Sequence, residues 1–350
     1  RGEADVMIAG GSDSTSSAEV KLQQQLVRTF APLALGKPTP AAYLGALAKV
    51  RPGDLLPERP RIAERTTGEV MGEAAERMAQ RNEIAREAQD ELALRSHQRA
   101  ARAIASGRFA SEVAPVETKR GWVHSDGLVR GDTSMERLAK LRPAFAKDGS
   151  VTAGNASPLT DGAAAVLLMS EDKARALGLK PLAAFASWAY VGVDPADQLL
   201  IGPALAIPKA LDRAGLALND VDLVDLHEAF AAQVLSVVKA LGSRAFAKAR
   251  LGRGEAVGEI DPAKLNVHGG SIALGHPFGA TGARMVTTMA NELALGSKRT
   301  AVLGICAAGG LGAAAVHDHG HHHVLERREG GDQIVILEDE ADGVAAQPRA

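Results

Sequence analysis

The sequence predicts an α/β protein, and three observations point there. Residues 148–316 alternate short apolar runs with helical segments, the pattern of strands joined through helices. Apolar residues make up 46% of the 350, aromatics only 3%, and glycine occurs 37 times, which suits closely packed helix–sheet layers. The pentapeptide Gly162-Ala163-Ala164-Ala165-Val166 returns as Gly312-Ala313-Ala314-Ala315-Val316. Each copy stands at the entry to an expected strand, so the chain reads as two duplicated halves.

The elements follow in order. Residues 5–11 read as a buried strand. Between Gly72 and Ala105, apolar residues at helical spacing among Glu, Arg and Gln predict two surface helices. Residues 150–153 and 163–169 read as strands. A helix is expected over 170–177, with Ser170 as its N-cap, Glu171 and Asp172 in the first turn and Gly178 at its end. Further helices are expected over 204–214, 227–241 and 280–295, and strands over 221–226 and 300–306.

The net charge of −2 gives no electrostatic footprint for nucleic acid. One cysteine, Cys306, excludes an intramolecular disulfide and a cysteine-built metal cage, and points to a reducing compartment. No apolar run reaches the roughly 20 residues that span a bilayer, and the start does not read as a signal peptide. Arg1-Gly2-Glu3-Ala4 runs straight into the first strand, so the start reads as truncated. His317-Asp318-His319-Gly320-His321-His322-His323 is either a set of imidazoles for a divalent metal or a loose end, and residues 333–337 look strand-like.

Three blocks carry chemistry. Gly269 to Gly282 is glycine-rich around Gly275-His276-Pro277, placing an imidazole on irregular backbone before a helix, where it serves proton transfer or structure. Cys306-Ala307-Ala308-Gly309-Gly310 ends a strand on a small-residue turn. There the thiol is either an inert core group or a reactive one beside free N–H donors that lower its pKa or form an oxyanion hole. Asp225-Leu226-His227-Glu228-Ala229-Phe230 lies at a strand-to-helix junction. His227 there holds a water or oxygen, with Glu228 at the helix dipole or orienting a neighbouring group, or the block is only a polar helix start.

Taken in this order, the three blocks resemble the carboxyl-terminal half of the thiolase family, whose motifs read Asn-Glu-Ala-Phe, Gly-His-Pro and Cys-x-Gly-Gly-Gly. Here His227 stands for the asparagine and Ala308 for the first glycine of the last motif. Val151 to Ala165 is similar to the end of the family's first half, and Ala9-Gly10-Gly11 to the strand after its nucleophile helix. The resemblance covers residues 1 to about 316. His227, Gly270-Ser271-Ile272-Ala273 and Leu141-Arg142-Pro143-Ala144-Phe145 resemble the 3-ketoacyl-CoA thiolase subunit of fatty-acid oxidation complexes.

The resemblance implies a thiolase fold of two α/β halves in α-β-α-β-α layers. Residues 1–20 and 148–182 would belong to the first half, 21–147 to an inserted helical loop domain and 183–316 to the second half, with 317–350 a disordered tail. It implies that His276 activates the nucleophile and holds an oxyanion, that Cys306 is the acid/base, and that His227 completes the first oxyanion hole. The Ala308 N–H would serve the second hole, and Ser157 would contact the pantetheine arm of CoA. The family's nucleophilic cysteine precedes the Ala-Gly-Gly strand and is not in this chain, so the chain as it stands is expected to be inactive. The reaction implied is thiolytic cleavage of 3-ketoacyl-CoA through an acyl-cysteine, with CoA as substrate and neither metal nor cofactor. A biosynthetic acetoacetyl-CoA thiolase and a non-catalytic acyl-CoA-binding protein are the alternatives. The implied partners are acyl-CoA, a homodimer or tetramer, and a hydratase/hydroxyacyl-CoA dehydrogenase α subunit. The implied compartment is the cytoplasm of a bacterium or the mitochondrion of a eukaryote.

Overall fold

The computed structural model describes residues 4–17, 21–57, 62–296, 298–319 and 334–337. Seven of its strands form one mixed sheet: β1 (Val6–Asp13), β4 (Gly162–Ser170), β5 (Pro181–Gly192), β6 (Leu223–Leu226), β7 (Thr300–Ala307), β8 (Leu311–Asp318) and β9 (Ile334–Leu337). A separate hairpin joins β2 (Val116–Thr118) to β3 (Gly121–Val123). The sheet order is β1-β4-β9-β5-β8-β7-β6. Only β6 and β7 run parallel, and every other neighbouring pair is antiparallel.

Helices cover both faces of the sheet. The helix Pro203–Ala214 packs on β5, β7 and β8, and beyond it lies the larger apolar core with Ile207, Leu226, Val234 and Val302. On the other face the helix Thr281–Leu295 brings Met285, Met289 and Leu293 against Leu223, Leu303 and Ile336. Burial of these side chains, each worth about 1.5–3 kcal/mol, holds the sheet rigid under the site.

Most expected elements form, and the exceptions have physical reasons. Ser170 caps the helix Glu171–Leu177 by accepting from the Lys173 N–H at 3.3 Å, and Gly178 closes it at φ +69°. Residues 150–153 do not make a strand. The Glu76 carboxylate takes the N–H groups of Ser150 and Val151, both at 2.8 Å, and Asn155 takes that of Thr152 at 2.8 Å. Side chains thereby replace a ladder, and one bridge, Thr152 to Pro143, remains.

β1 forms but is not buried: Met7 is 56% and Ile8 74% exposed, because among the described residues β1 is the edge strand and pairs with β4 alone. The helices Met71–Arg81 and Arg86–Ala105 are more than surface helices. They bury Ala75, Met78, Leu92 and Ala93, and with them the polar Gln89, Asp90, Ser96 and His97. The helix expected from His227 begins at Ala231. The His227 N–H donates to the Gly304 carbonyl at 2.9 Å, which prolongs the β6–β7 pairing, and the Ala231 N–H donates to Asn155 at 2.9 Å. Finally, β8 runs to Asp318 and buries His317 against Phe185, ring centroids 4.6 Å apart. His317 and Asp318 therefore belong to the sheet, whereas His321, His322 and His323 lie outside the described residues.

Candidate active site

The parallel pair β6–β7 places two of the three blocks at one end of the sheet. Leu226 pairs with Gly304, so the register sets His227 level with Ile305, one position before Cys306 near the end of β7. The third block is delivered by the short helix Ser271–Leu274 and the turn after it. Residues 155–159 lace the blocks together. Ala156 bridges Phe230, Leu159 bridges His276, and the His276 N–H donates to the Pro158 carbonyl at 3.1 Å.

Strand β1 also seats this turn, and here glycine is required. A Cβ at Gly11 would stand 2.2 Å from the Gly279 carbonyl oxygen, so only glycine admits that approach. Beside it, Asp13 Oδ2 accepts from the Gly279 N–H at 2.5 Å.

His227 and His276 meet, their Nε2 atoms 3.2 Å apart. On the far side of each ring, His227 Nδ1 is 3.1 Å from Ser271 Oγ and His276 Nδ1 is 2.7 Å from Thr281 Oγ1. Burial holds both imidazoles below their ordinary pKa, His276 at about 4. The neighbouring ring and the Arg284 guanidinium push the same way on His227; on His276 Arg284 does so against Asp13. Both rings are therefore neutral near pH 7, and a neutral ring can accept a proton from a thiol.

Cys306 is buried, and burial pushes its thiol up to about 12, against a small opposing effect of its own backbone N–H. The expectation that turn donors lower this pKa is overturned: desolvation of the thiolate outweighs them. The resting group is a protonated thiol, a proton donor. After it, Ala307, Ala308 and Gly309 are exposed. Gly310, at φ +69°, accepts at its carbonyl from the Val193 N–H at 2.7 Å, and a Cβ there would stand 2.3 Å from Val193 O. The Gly309 N–H donates to Glu64 at 2.9 Å, which fixes the turn while Ala308 faces outward.

Ser157 is spent largely on the protein. Its N–H and its hydroxyl both donate to the Ala229 carbonyl at 3.0 Å, so toward a ligand its oxygen can only accept. Glu228 is not at a helix start. It is buried, accepting from Ser96 Oγ at 2.6 Å, Asn266 Nδ2 at 2.7 Å and the Ile272 N–H at 3.3 Å. Burial raises its carboxyl pKa against those donors. It thus ties the His227 segment to the helix that precedes His276. Ser96, Asn266, Glu64 and Arg284 carry no motif of their own in the sequence, and only their positions in space connect them to the site.

Two family models match this chain, that for the thiolase N-terminal domain over residues 1–172 and that for the thiolase C-terminal domain over residues 179–319. The chain belongs to the thiolase family. It is 49% identical over 321 residues to the 3-ketoacyl-CoA thiolase of Yersinia enterocolitica, a match spanning 90% of this chain and 73% of that relative. Among solved structures, human mitochondrial 3-ketoacyl-CoA thiolase superposes with a TM-score of 0.74 at 34% identity, covering 91% of this chain and 72% of that one. The same human enzyme has also been solved in complex with CoA, where the TM-score is 0.73 at 34% identity, covering 90% and 71% of the two chains. The Bacillus anthracis acetyl-CoA acetyltransferase gives 0.71 at 36% identity, covering 91% and 72%. In this thiolase chain the two family matches divide between β4 and β5, while strands from both halves share the one sheet.

Proposed function

We propose that this chain serves thiolytic cleavage of 3-ketoacyl-CoA by CoA, giving a shortened acyl-CoA and acetyl-CoA in fatty-acid β-oxidation. The observation that carries the reading is the pairing of neutral His227 and His276 at the same sheet end as a protonated Cys306, in a chain whose relatives are named 3-ketoacyl-CoA thiolases.

The roles follow from the protonation states. Attack on the ketone needs a thiolate, because the acyl-cysteine it leaves is a thioester that CoA can still accept. His276 takes the proton of that thiol. Expulsion of acetyl-CoA as a carbanion then needs a proton on carbon, and Cys306, buried and protonated, supplies it; the same sulfur later takes the proton of the incoming CoA. The developing oxyanions are met by N–H donors, from the histidine pair in one half-reaction and from Ala308 in the other. Ser157 accepts a hydrogen bond from the pantetheine arm. Cys306 is the chain's one cysteine, so the acyl-carrying thiol comes from outside these 350 residues.

The test is mass spectrometry after exposure to 3-ketoacyl-CoA. This chain should form no acyl adduct on Cys306. A chimera supplying the part of the Yersinia relative that the match leaves uncovered should form one, and should lose thiolysis by orders of magnitude on Cys306→Ala or His276→Ala. An adduct on Cys306 itself would overturn the role assignment. Activity of the chimera on acetoacetyl-CoA alone would favour the biosynthetic reading, and no adduct at all would leave the acyl-CoA-binding one. A homodimer or tetramer is also proposed, on the exposed apolar side chains Met7 and Ile8 of β1; a monomer in sedimentation at micromolar concentration would refute it.

A further inference from the structure

Where two neutral imidazoles face each other, one nitrogen must carry the hydrogen and the other must not. The far side of each ring decides which, because both ends of the chain of contacts are chemically one-way. On the His276 side, Thr281 Oγ1 lies 2.7 Å from Nδ1 and 3.0 Å from the Pro277 carbonyl oxygen. That carbonyl only accepts, so the Thr281 hydrogen goes to it, and the Thr281 oxygen takes a hydrogen from His276 Nδ1. His276 Nε2 is left bare. On the His227 side, Ser271 Oγ lies 3.1 Å from Nδ1, and Arg284 Nη2 points at the same oxygen from 3.2 Å. A guanidinium only donates, so Ser271 accepts from Arg284 and directs its own hydrogen to His227 Nδ1. His227 then carries its hydrogen on Nε2.

The two ends, argued separately, agree: His227 Nε2–H donates to the bare Nε2 of His276. We propose that Ser271 and Arg284 are positioning residues that lock the His227–His276 pair in this one polarity, with Thr281 and the Pro277 carbonyl closing the other end. The reversed polarity would break the Thr281–Pro277 bond and turn the Ser271 hydrogen away from His227 while Arg284 still points at the oxygen. Ser271 is fully buried, so that hydrogen has no solvent to turn to, and a lost buried hydrogen bond is costly. The locked state keeps His276 Nε2 unprotonated, as a base needs, with its lone pair held by the His227 N–H until a thiol displaces that donor, and it makes His227 the resting N–H donor. This deepens the thiolase reading and rests on it for its catalytic consequence, but the polarity itself is a property of the resting chain.

The experiment is two-bond proton–nitrogen NMR on this chain labelled with 15N-histidine near neutral pH, with the two rings assigned through His227→Gln and His276→Gln. The expected pattern is a bare Nδ1 and protonated Nε2 on His227, and a protonated Nδ1 and bare Nε2 on His276. Ser271→Ala and Arg284→Met should each convert His227 to a mixture of tautomers, Ser271→Thr should restore the native pattern, and Thr281→Val should loosen His276. A protonated Nδ1 on native His227, or an unchanged pattern in both Ser271→Ala and Arg284→Met, would overturn the proposal. No turnover is read, so an inactive chimera with the locked pattern sinks only the thiolase reading, and an active one with the reverse pattern sinks only this inference.

Discussion

The strand pairs β1–β4 and β7–β8 are the same device used twice. Each is antiparallel, and each second strand carries Gly-Ala-Ala-Ala-Val. In the first pair Gly162 lies opposite Asp13, and in the second Gly312 lies opposite Cys306. Equivalent positions thus hold the carboxylate that anchors the His276 turn and the thiol of the site. The pairs differ in what surrounds them. β7 has β6 and β8 beside it and helices on both faces, and buries Val302 and Leu303 completely or nearly so. Among the described residues β1 has β4 alone, and it leaves Val6, Met7 and Ile8 exposed. An apolar run therefore marks a strand in both places, but its burial is set by neighbours distant in sequence.

The strongest way to break this comparison is to truncate matched apolar side chains. Leu303→Ala should cost about 2–5 kcal/mol, since a closed core cannot refill the space. Ile8→Ala, measured on the chain diluted below the concentration at which copies associate, should change stability by less than about 0.5 kcal/mol, as for an exposed side chain. Urea midpoints of the two variants check both, and equal losses would mean that β1 is as deeply packed as β7.

A smaller effect tests whether β1, though exposed on its outward side, still serves the site. Gly11→Ala places a methyl where Gly279 O lies 2.2 Å away, backbone against backbone, and overpacking of this kind costs about 1–3 kcal/mol. Because Asp13 holds the Gly279 N–H from the same strand, the variant should also shift the His276 resonances, whereas Ile8→Ala should leave them in place. A His276 signal unmoved by Gly11→Ala would uncouple β1 from the turn.

The same contrast explains what the sequence could reveal. Local rules act within a few residues, so the Ser170 cap, the Gly178 stop and the helices around 203–214 and 281–295 were legible from spacing alone. His276, Cys306 and His227 stood out because glycine-rich turns and strand ends are local too. For Glu228 the helix-dipole reading fails and the reading that it orients neighbouring groups fits, but which groups is hidden from sequence because its donors, Ser96, Asn266 and Ile272, lie 132, 38 and 44 residues away. The strand expected at residues 150–153 failed for the same reason, its donors being taken by Glu76 from 74 and 75 residues upstream. Arg284, which points at Ser271 across 13 residues, is visible as a basic residue in a helix and as nothing more.

The mildest prediction uses the duplication directly. Counting on from each repeat, Leu167 in β4 corresponds to His317 in β8, so the second copy carries an imidazole where the first carries a leucine. His317 is fully buried, neither ring nitrogen has a hydrogen-bond partner among the described residues, and burial holds its pKa at about 3. Leaving such a group unsatisfied costs stability, so His317→Leu should stabilise the fold by about 1 kcal/mol at neutral pH. The sign of the pH effect follows from linkage. The unfolded ring, with its ordinary pKa near 6.5, binds a proton between that value and about 3, while the folded ring does not. Its contribution is therefore fully present above pH about 6.5 and is lost as pH falls through that window toward about 3. His317→Leu removes this loss, so its acid-unfolding midpoint should move to lower pH than that of the native chain. An unchanged midpoint would mean that His317 is protonated in the fold, and that the second strand pair is less thoroughly sealed than its burial indicates.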